Sequence, residues 1–446
     1  MPRARIILTI MPVFWPKMPP IGLGYLQSYL EKNKLHTDIL DLNNRFYNLA
    51  EPGLKKDWQI SCNAALEKGI FDLLQKTFPE GFKKSMEKIA NYEIAGFSCF
   101  KSNLVTTLKA IKYIKTLKKD IKVVLGGPEI TRQLFKGRGR IKRKLMESAD
   151  LLVAGEGEIP LSDFLKGSSA EKFRKFQQLD ALAGLGFPRY EGLNLSSYSR
   201  KDAIALQFSR GCVRKCSFCS EKLLYEGFRA REVKSLIDEI RYHKEKNHIK
   251  YFIFFDSMIN ADLKKFEDLC DNIIENFGSI NWEAQMAIRK DMDGRIFEKI
   301  KKSGCYNLFV GLESGCDKTL KKMNKGFTAG EAESFFRKLK NAGLSFGISM
   351  IVGYPKETEK DFKESLDFVI RNKDIIPKIE QVNPFVYYDG TAADRNADYK
   401  INKVSAERME TFVKEIKKHG FKYTNAFLGN LIETTYRSVP SRTVQR

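Results

Sequence analysis

The sequence predicts an α/β protein in which two parallel sheets follow one another along the chain. Short apolar strand patterns alternate with amphipathic helical patterns through most of the 446 residues, which is typical of parallel sheets covered by helices. Glycine-rich or acidic turns follow several of these strands, and three closely spaced cysteines stand near the start of the second series. Ligands of such sheets bind beyond the carboxyl ends of the strands. We therefore expect the functional site at these turns.

The first half, residues 1–165, is predicted to be a doubly wound, Rossmann-like sheet. Its buried-strand patterns are separated by helical patterns and lie at residues 5–10, 36–42, 94–100, 121–127 and 149–154. Two glycine turns stand at predicted strand ends, namely Gly126 and Gly127 before Pro128, and Gly155, Glu156 and Gly157 before Glu158. Glycine at a strand end lets the backbone approach a ligand closely, although such turns also carry glycine for geometry alone.

The second half predicts a partial (β/α)6 barrel over residues 200–390. Glycine and proline interrupt the helical periodicity of residues 166–199, so this segment is predicted to be a linker. Six strand patterns, each followed by about one helix, then lie at residues 203–208, 250–255, 279–286, 306–311, 347–353 and 380–386. In barrels of this type the catalytic groups gather where the strands end. Residues 391–446 are predicted to form a short helical C-terminal tail with a basic end.

The most informative motif is a triplet of cysteines directly after the first barrel strand. Cys212, Cys216 and Cys219 have the spacing C-x3-C-x2-C and follow Gly211. A [4Fe–4S] cluster normally takes four cysteine ligands, so a loop of three would leave one iron open for chemistry. The alternative is a structural zinc loop. Zinc sites usually supply four ligands in two pairs, and no second pair follows here.

This spacing, with Phe218 directly before the third cysteine, resembles the radical S-adenosylmethionine (SAM) enzymes. The resemblance implies a [4Fe–4S] cluster on the three cysteines, with SAM chelating the fourth iron through its amino and carboxylate groups. It further implies reductive cleavage of SAM to a 5′-deoxyadenosyl radical and a contact between the backbone of Phe218 and the adenine. An electron donor such as flavodoxin or ferredoxin is implied as a partner.

Residues at the other barrel strand ends are predicted to bind SAM by their resemblance to the same family. Asp256 matches an acidic position of the B12 subfamily and is expected to accept from the SAM amine, while Glu313 is expected at the ribose hydroxyls or the amine. Ser314 can donate to the carboxylate, and Arg289 suits the same carboxylate because a guanidinium fork matches its geometry. Gly353 lies in a turn expected near the adenine. The alternative for each charged residue is an exposed loop position.

The first half resembles the cobalamin-binding domain of B12-dependent radical SAM enzymes. The runs PPIGLGYL (residues 19–26), VVLGGP (123–128) and VAGEGE (153–158) carry this resemblance, which implies cobalamin at the two glycine turns. The Asp-x-His-x-x-Gly loop that supplies a cobalt ligand in many B12 proteins is missing, and His36, which opens a strand, is the only N-terminal histidine. A sheet that has lost its cofactor is the alternative.

The function favoured by these resemblances is a cobalamin-dependent C-methyltransferase that acts on an unactivated carbon of a small molecule, lipid or peptide. A radical SAM cyclase or rearrangement enzyme stays open. A tRNA methylthiotransferase is disfavoured because that family needs three further N-terminal cysteines. A non-enzymatic metal or redox sensor is disfavoured because barrel-end residues would be superfluous in it.

Composition limits the partners and the compartment. The net charge is +22, but the lysines are scattered over the predicted helices, so a solvated surface is favoured over DNA binding. Eight cysteines in a chain of this length do not form a disulfide framework, which favours a reducing cytoplasm, with peripheral membrane contact if the substrate is a lipid. No stretch approaches the roughly 18 apolar residues of a transmembrane segment. Three isolated cysteines are expected to be core or surface residues (Cys62, Cys99 and Cys270), and three histidines are expected to be solvated (His243, His248 and His419). Cys305 and Cys316 flank the fourth barrel strand, where packing is favoured over a role as hydrogen donors or auxiliary-cluster ligands.

Overall fold

The computed structural model describes residues 6–59, 64–135, 139–168, 173–174, 177–388, 390–395 and 403–424. Within these residues the chain forms two parallel sheets and one short antiparallel ribbon, so the predicted α/β class is confirmed. Cys62 and the basic end of the tail lie outside the described residues. No described helix has both the length and the apolar character needed to cross a membrane.

The first sheet contains six described strands, and the first five lie where the sequence predicts strands. They are β1 (Ile6–Ile10), β2 (Thr37–Asp41), β3 (Ile94–Ser98), β4 (Lys122–Gly126), β5 (Leu151–Val153) and β6 (Phe173–Arg174). The helices are α1 (Ile21–Lys32), α2 (Leu42–Leu49), α3 (Pro52–Gln59), α4 (Ala64–Thr77), α5 (Pro79–Ala90), α6 (Leu104–Leu117), α7 (Pro128–Phe135), α8 (Arg140–Ser148) and α9 (Glu158–Leu165). Among the described residues the strand order is β2-β1-β3-β4-β5-β6, with every pair parallel.

Helices cover both faces of this sheet, as a doubly wound fold requires. Apolar side chains of α1 and α9 form one core with the sheet, and those of α2 to α8 form a second, larger core on the opposite face. Residues of neighbouring helices thereby exclude water from all the central strands, which explains their nearly continuous apolar sequences. The carboxyl ends of β1, β3, β4 and β5 remain together at one edge.

The second sheet is the predicted barrel. Its strands are β7 (Ala203–Leu206), β10 (Tyr251–Phe254), β11 (Asn281–Met286), β12 (Cys305–Glu313), β13 (Phe346–Val352), β14 (Lys378–Pro384) and β15 (Lys422–Tyr423), and the ribbon strands β8 (Ser209–Arg210) and β9 (Arg229–Ala230) lie beside it. The helices are α10 (Val233–Asn247), α11 (Leu263–Phe277), α12 (Gly294–Lys302), α13 (Asp317–Met323), α14 (Ala329–Asn341), α15 (Glu359–Arg371) and α16 (Lys403–Lys418).

The barrel strands follow the order β15-β14-β13-β12-β11-β10-β7 in the described part of the chain, with all pairs parallel. The six predicted strands are therefore present, and the short β15 joins the edge. On β12 the more buried residues alternate with less buried ones such as Asn307 and Glu313, which share one face of the strand.

The predicted linker is more structured than the sequence predicts, and the C-terminal tail, predicted to be helical, packs against the barrel. Strand β6 lies in the predicted linker and pairs with β5, so the first sheet extends past residue 165. Helix α16 lies in the predicted tail, and its Met409, Phe412 and Ile416 belong to the barrel core. The prediction that His243 is solvated is wrong: the ring is buried on α10, and its Nε2 lies 2.9 Å from the oxygen of Pro188. Burial lowers the pKa of His243 to about 4.

Candidate functional site

The cysteine loop is closed at its base by the antiparallel ribbon. Arg210 of β8 pairs with Arg229 of β9, so the chain leaves and returns at the same point. Gly211 follows Arg210 with φ of +81°, and a Cβ atom on it would lie 1.9 Å from the oxygen of Gly227. Only glycine fits there, both because of the positive φ and because of this contact. The sequence thus fixes where the loop begins.

The three cysteines are free and half-buried within this loop. The backbone N–H of Arg214 donates to Sγ of Cys212 at 3.4 Å, and burial raises the pKa of Cys212 and that of Cys219, the latter to about 11. Among the described residues, no three His, Cys, Asp or Glu side chains converge on a single metal ion. In a cluster each cysteine binds a different iron, and a donor set of three thiols on one loop fits that requirement.

Contacts from the loop fasten it to the carboxyl end of the barrel. The N–H of Ser217 donates to the oxygen of Met323 at 2.9 Å, and the Ser217 hydroxyl is 2.7 Å from that of Tyr354. The guanidinium of Arg214 donates to the carbonyl oxygens of Lys325 and Ile288, at 3.0 and 2.9 Å. The cysteines consequently stand at the edge where the strands β11 to β13 end.

Glu313 lies beside the loop in a small buried charge cluster. Its carboxylate accepts from Ser349 Oγ at 3.1 Å and lies 3.6 Å from Nζ of Lys325. The same ammonium is 5.8 Å from the ring centre of Phe218. Burial raises the pKa of Glu313, while Lys325 and the Ser349 hydroxyl oppose that rise. Glu313 also has φ of +72°, an uncommon conformation for a residue other than glycine that calls for a functional explanation.

Lys325 was not predicted from the sequence. It stands in a polar stretch just after α13, without periodicity or a strand pattern to single it out. Only the fold brings its ammonium between Glu313 and Phe218. The sequence around it, Asn324-Lys325-Gly326, indicates a turn and nothing more.

Asp256 is fully buried directly after β10 and supports the strand that leads into the cysteine loop. Its carboxylate accepts from the N–H of Phe208 at 3.0 Å and from the N–H and hydroxyl of Ser209. Burial raises the pKa of Asp256 to about 6. Both carboxylate oxygens have protein partners two to three residues before Gly211. This arrangement makes Asp256 a positioning residue for the loop, and its predicted contact with SAM stays a prediction.

Three further predicted SAM ligands have protein partners in this structure. Arg289 donates to both carboxylate oxygens of Asp291, at 2.8 and 2.5 Å. The Ser314 hydroxyl is 2.7 Å from that of Ser365 and accepts from the chain at the start of α13. Gly353 packs so closely against α16 that a Cβ atom would lie 2.1 Å from a side-chain oxygen of that helix. Their roles toward SAM stay predictions.

A separate cleft lies over the carboxyl ends of β1, β3, β4 and β5, with about 1080 Å³ of empty space. Gly126, Gly127, Gly155 and Gly157 all line it, so the structure brings both predicted glycine turns to one place. Gly127 and Gly155 have φ of +99° and +75°. None of the described residues that line the cleft is a histidine. These small residues leave a broad surface at the switch point of the sheet, where ligands of such folds bind.

The barrel closes one side of this cleft through a buried ion-pair network. Arg210 Nη2 lies 2.7 Å from Glu158 Oε1, and Arg210 Nη1 lies 3.3 Å from Glu156 Oε2. Arg229 binds the other oxygen of Glu156. Glu156 lines the cleft, and two guanidinium groups bind its carboxylate. Its predicted role toward the cofactor stays a prediction. The network joins the second glycine turn to the base of the cysteine loop.

Comparison with known proteins agrees with this geometry. Residues 206–369 match the family model of the Radical SAM superfamily. An uncharacterized methyltransferase of Pyrococcus horikoshii is 23% identical over 377 residues, which cover 78% of this chain and 72% of that protein. The second half of the chain thus contains a segment that matches the Radical SAM superfamily.

Solved structures define the arrangement of the two domains further. The radical SAM methyltransferase TsrM of Kitasatospora setae, solved with cobalamin and a [4Fe–4S] cluster, has a TM-score of 0.67 at 16% identity, over 88% of this chain and 77% of that one. The cobalamin-dependent radical SAM enzyme OxsB, solved with aqua-cobalamin and SAM, has a TM-score of 0.59 at 16% identity, over 94% of this chain. The match spans only 56% of the OxsB chain. The protein thus has the fold of the cobalamin-dependent radical SAM enzymes.

Proposed function

We propose that the protein is a cobalamin-dependent radical SAM methyltransferase that acts on an unactivated carbon of a small molecule, lipid or peptide. The main observation in support of this proposal is the position of Arg210 between the glycine cleft and the cysteine loop. This residue lines the glycine cleft and immediately precedes Gly211 and the three cysteines. A loop that fits an iron–sulfur cluster therefore adjoins a cleft that fits a large planar cofactor.

The residues that would hold each group follow from the site. Cys212, Cys216 and Cys219 would hold a [4Fe–4S] cluster, and the glycine turns at residues 126–127 and 155–157 would face cobalamin. When bound, these groups together with SAM supply a 5′-deoxyadenosyl radical and a transferable methyl group, the chemistry that belongs to cofactors rather than to side chains. Because none of the described lining residues is a histidine, cobalamin in this cleft would be held without a histidine from that lining.

The protein's own contribution is binding and orientation. When ionised, Glu313 would accept from the SAM amine; burial raises its pKa, and Lys325 and the Ser349 hydroxyl oppose that rise. The Phe218 backbone would contact the adenine. Asp256 holds the strand before Gly211 in place, so the cysteines are positioned before any ligand arrives, which reduces the cost of ordering the loop on binding.

The reaction needs one electron from outside the chain and a substrate. We infer a flavodoxin or ferredoxin as the donor and the reducing cytoplasm as the compartment, with peripheral membrane contact if the substrate is a lipid. We expect neither DNA nor a membrane-spanning segment to take part in the reaction.

The proposal is tested by loading the protein anaerobically with iron, sulfide, hydroxocobalamin and SAM. We expect about one cobalamin and one cluster per chain, and 5′-deoxyadenosine on addition of a reductant. Cys216→Ala should abolish the cluster and 5′-deoxyadenosine formation, whereas Cys270→Ala, at a buried cysteine of α11, should keep both. Loading of the cluster without any binding of cobalamin would contradict the cobalamin-dependent part of the proposal.

A further inference from the structure

A second cavity lies between the first domain and the cysteine loop, with about 1600 Å³ of empty space. Phe14 and Trp58 line it from the first domain, and Leu223 and Tyr388 line it from the barrel side. It shares Phe100, Pro128 and Leu224 with the glycine cleft. A molecule in this cavity would therefore lie beside both the proposed cobalamin site and the loop that carries the cysteines.

Aromatic rings form much of the wall of this cavity. The rings of Phe14 and Phe100 pack with their centres 4.4 Å apart. Trp15 is 37% exposed and Tyr388 is 38% exposed. Phe255, at the end of β10, is 38% exposed, and its ring centre is 5.7 Å from that of Trp15. Large apolar side chains that stay accessible around one concave surface mark a binding site.

The charged side chains that line the cavity balance one another. Arg132 donates to both carboxylate oxygens of Glu129, at 2.9 and 2.6 Å. Glu67 and Lys101 carry opposite charges on the same wall. The lining residues of the described chain thus present two acids and two bases, without the excess of cations that phosphate recognition uses. A polyanion such as RNA does not suit this wall.

We propose that the substrate of this site is a largely apolar molecule with a ring system and without a phosphate group at the part that enters the cavity. This inference rests on the proposed function, because it takes the cavity beside the two cofactor sites as the place of reaction. The ring system would lie against Trp15 and the Phe14–Phe100 pair, since offset aromatic contacts add to the free energy gained by burying apolar area.

The test compares two probes that share one naphthyl ring and differ by a phosphate group, 2-naphthol and 2-naphthyl phosphate, by equilibrium dialysis against the protein loaded with cluster and cobalamin. We expect 2-naphthol to bind at least about tenfold more tightly than its phosphate ester. Trp15→Ala and Tyr388→Ala should each weaken 2-naphthol binding about tenfold, by removing apolar contact area. Leu117→Ala is the matched control, because this exposed apolar residue of α6 lies away from the cavity, and it should leave binding unchanged.

Three results would overturn the inference: no binding of 2-naphthol, tighter binding of the phosphate ester, or binding that Trp15→Ala and Tyr388→Ala leave unchanged. Displacement of the probe by bulk tRNA would overturn it too, in favour of an RNA substrate. Formation of 5′-deoxyadenosine is measured on the same preparation. If the protein cleaves SAM but fails the probe test, only the proposed substrate class is wrong. If it binds the probe without cleaving SAM, the proposed function is wrong, and the probe site can no longer be assigned to a substrate.

Discussion

Nη2 of Arg210 lies 2.7 Å from Oε1 of Glu158, and both side chains are buried. Arg210 belongs to the ribbon that closes the cysteine loop, while Glu158 begins a helix of the first domain. The ion pair therefore fixes the position of the loop relative to the glycine cleft. A fixed separation of the two sites would suit a reaction in which groups bound at both must reach one substrate, because small errors of placement slow such reactions strongly.

Loss of Arg210 should destabilise the protein strongly. Arg210→Met leaves the carboxylates of Glu158 and Glu156 buried with fewer partners, and breaking a buried pair costs about 3 kcal/mol or more. We expect the free energy of unfolding in urea to fall by about that amount. Glu87→Gln, which removes the exposed pair with Lys83, should cost less than about 1 kcal/mol. Equal effects of the two substitutions would show that the buried network contributes no more than a surface pair.

Gly211→Ala should abolish cluster binding. The added Cβ would lie 1.9 Å from the oxygen of Gly227, and φ at this position is +81°, so the loop cannot close at its base. Gly227→Ala is the matched control, since φ there is +75° but nothing lies within 4 Å of the added atom, and only about 1–2 kcal/mol of backbone strain is expected. The iron content of both variants is measured after anaerobic reconstitution. A full complement of iron in Gly211→Ala would contradict the described loop.

The affinity for SAM should depend on pH through Glu313. Its pKa is raised by burial, and we expect only the ionised carboxylate to accept from the SAM amine. Affinity should therefore fall as the pH is lowered through this raised pKa. Lys325→Met removes the ammonium that opposes the rise, so the profile should move to higher pH, with an affinity about tenfold weaker at neutral pH. The control is Lys321→Met, at an exposed residue of α13, which should leave the dependence of SAM affinity on pH unchanged. If Lys325→Met also left it unchanged, Glu313 would not be a SAM ligand.

His243 should make the stability of the fold depend on pH. Its pKa is about 4 in the folded chain against 6.5 ordinarily, because burial disfavours the charged ring. Between these values the unfolded chain binds more protons, so stability is lost as the pH falls from 6.5 toward 4, by on the order of 3 kcal/mol in total. His243→Gln should flatten this part of the curve of unfolding free energy against pH. His419→Gln, at an exposed residue, should leave the slope as in the parent, and an unchanged slope in His243→Gln would contradict the assignment.

Much of the architecture was predictable because it depends on local patterns. The central strands are apolar runs bounded by turns, and the cysteine spacing and glycine turns are contiguous in sequence. By contrast, β6 and β15 are two-residue edge strands that carry no periodic signal. They are recognisable only once their neighbours in the sheet are in place.

The site was predicted less completely than the fold. Cysteines and glycines are constrained by their own loops, whereas the partners of a charged side chain come from distant segments. Glu156 was expected at a cofactor, yet Arg210 and Arg229 come to it from the second half of the chain. Lys325 was missed and the burial of His243 was predicted wrongly for the same reason. Burial of a polar residue depends on tertiary packing that the local sequence does not encode.

The most direct test of the account is the iron stoichiometry and SAM cleavage of the anaerobically reconstituted protein, compared between the parent chain and Cys216→Ala. We predict about four irons per chain and reductant-dependent 5′-deoxyadenosine for the parent, and neither for the variant. Bound zinc in place of iron, or undiminished SAM cleavage by Cys216→Ala, would contradict it.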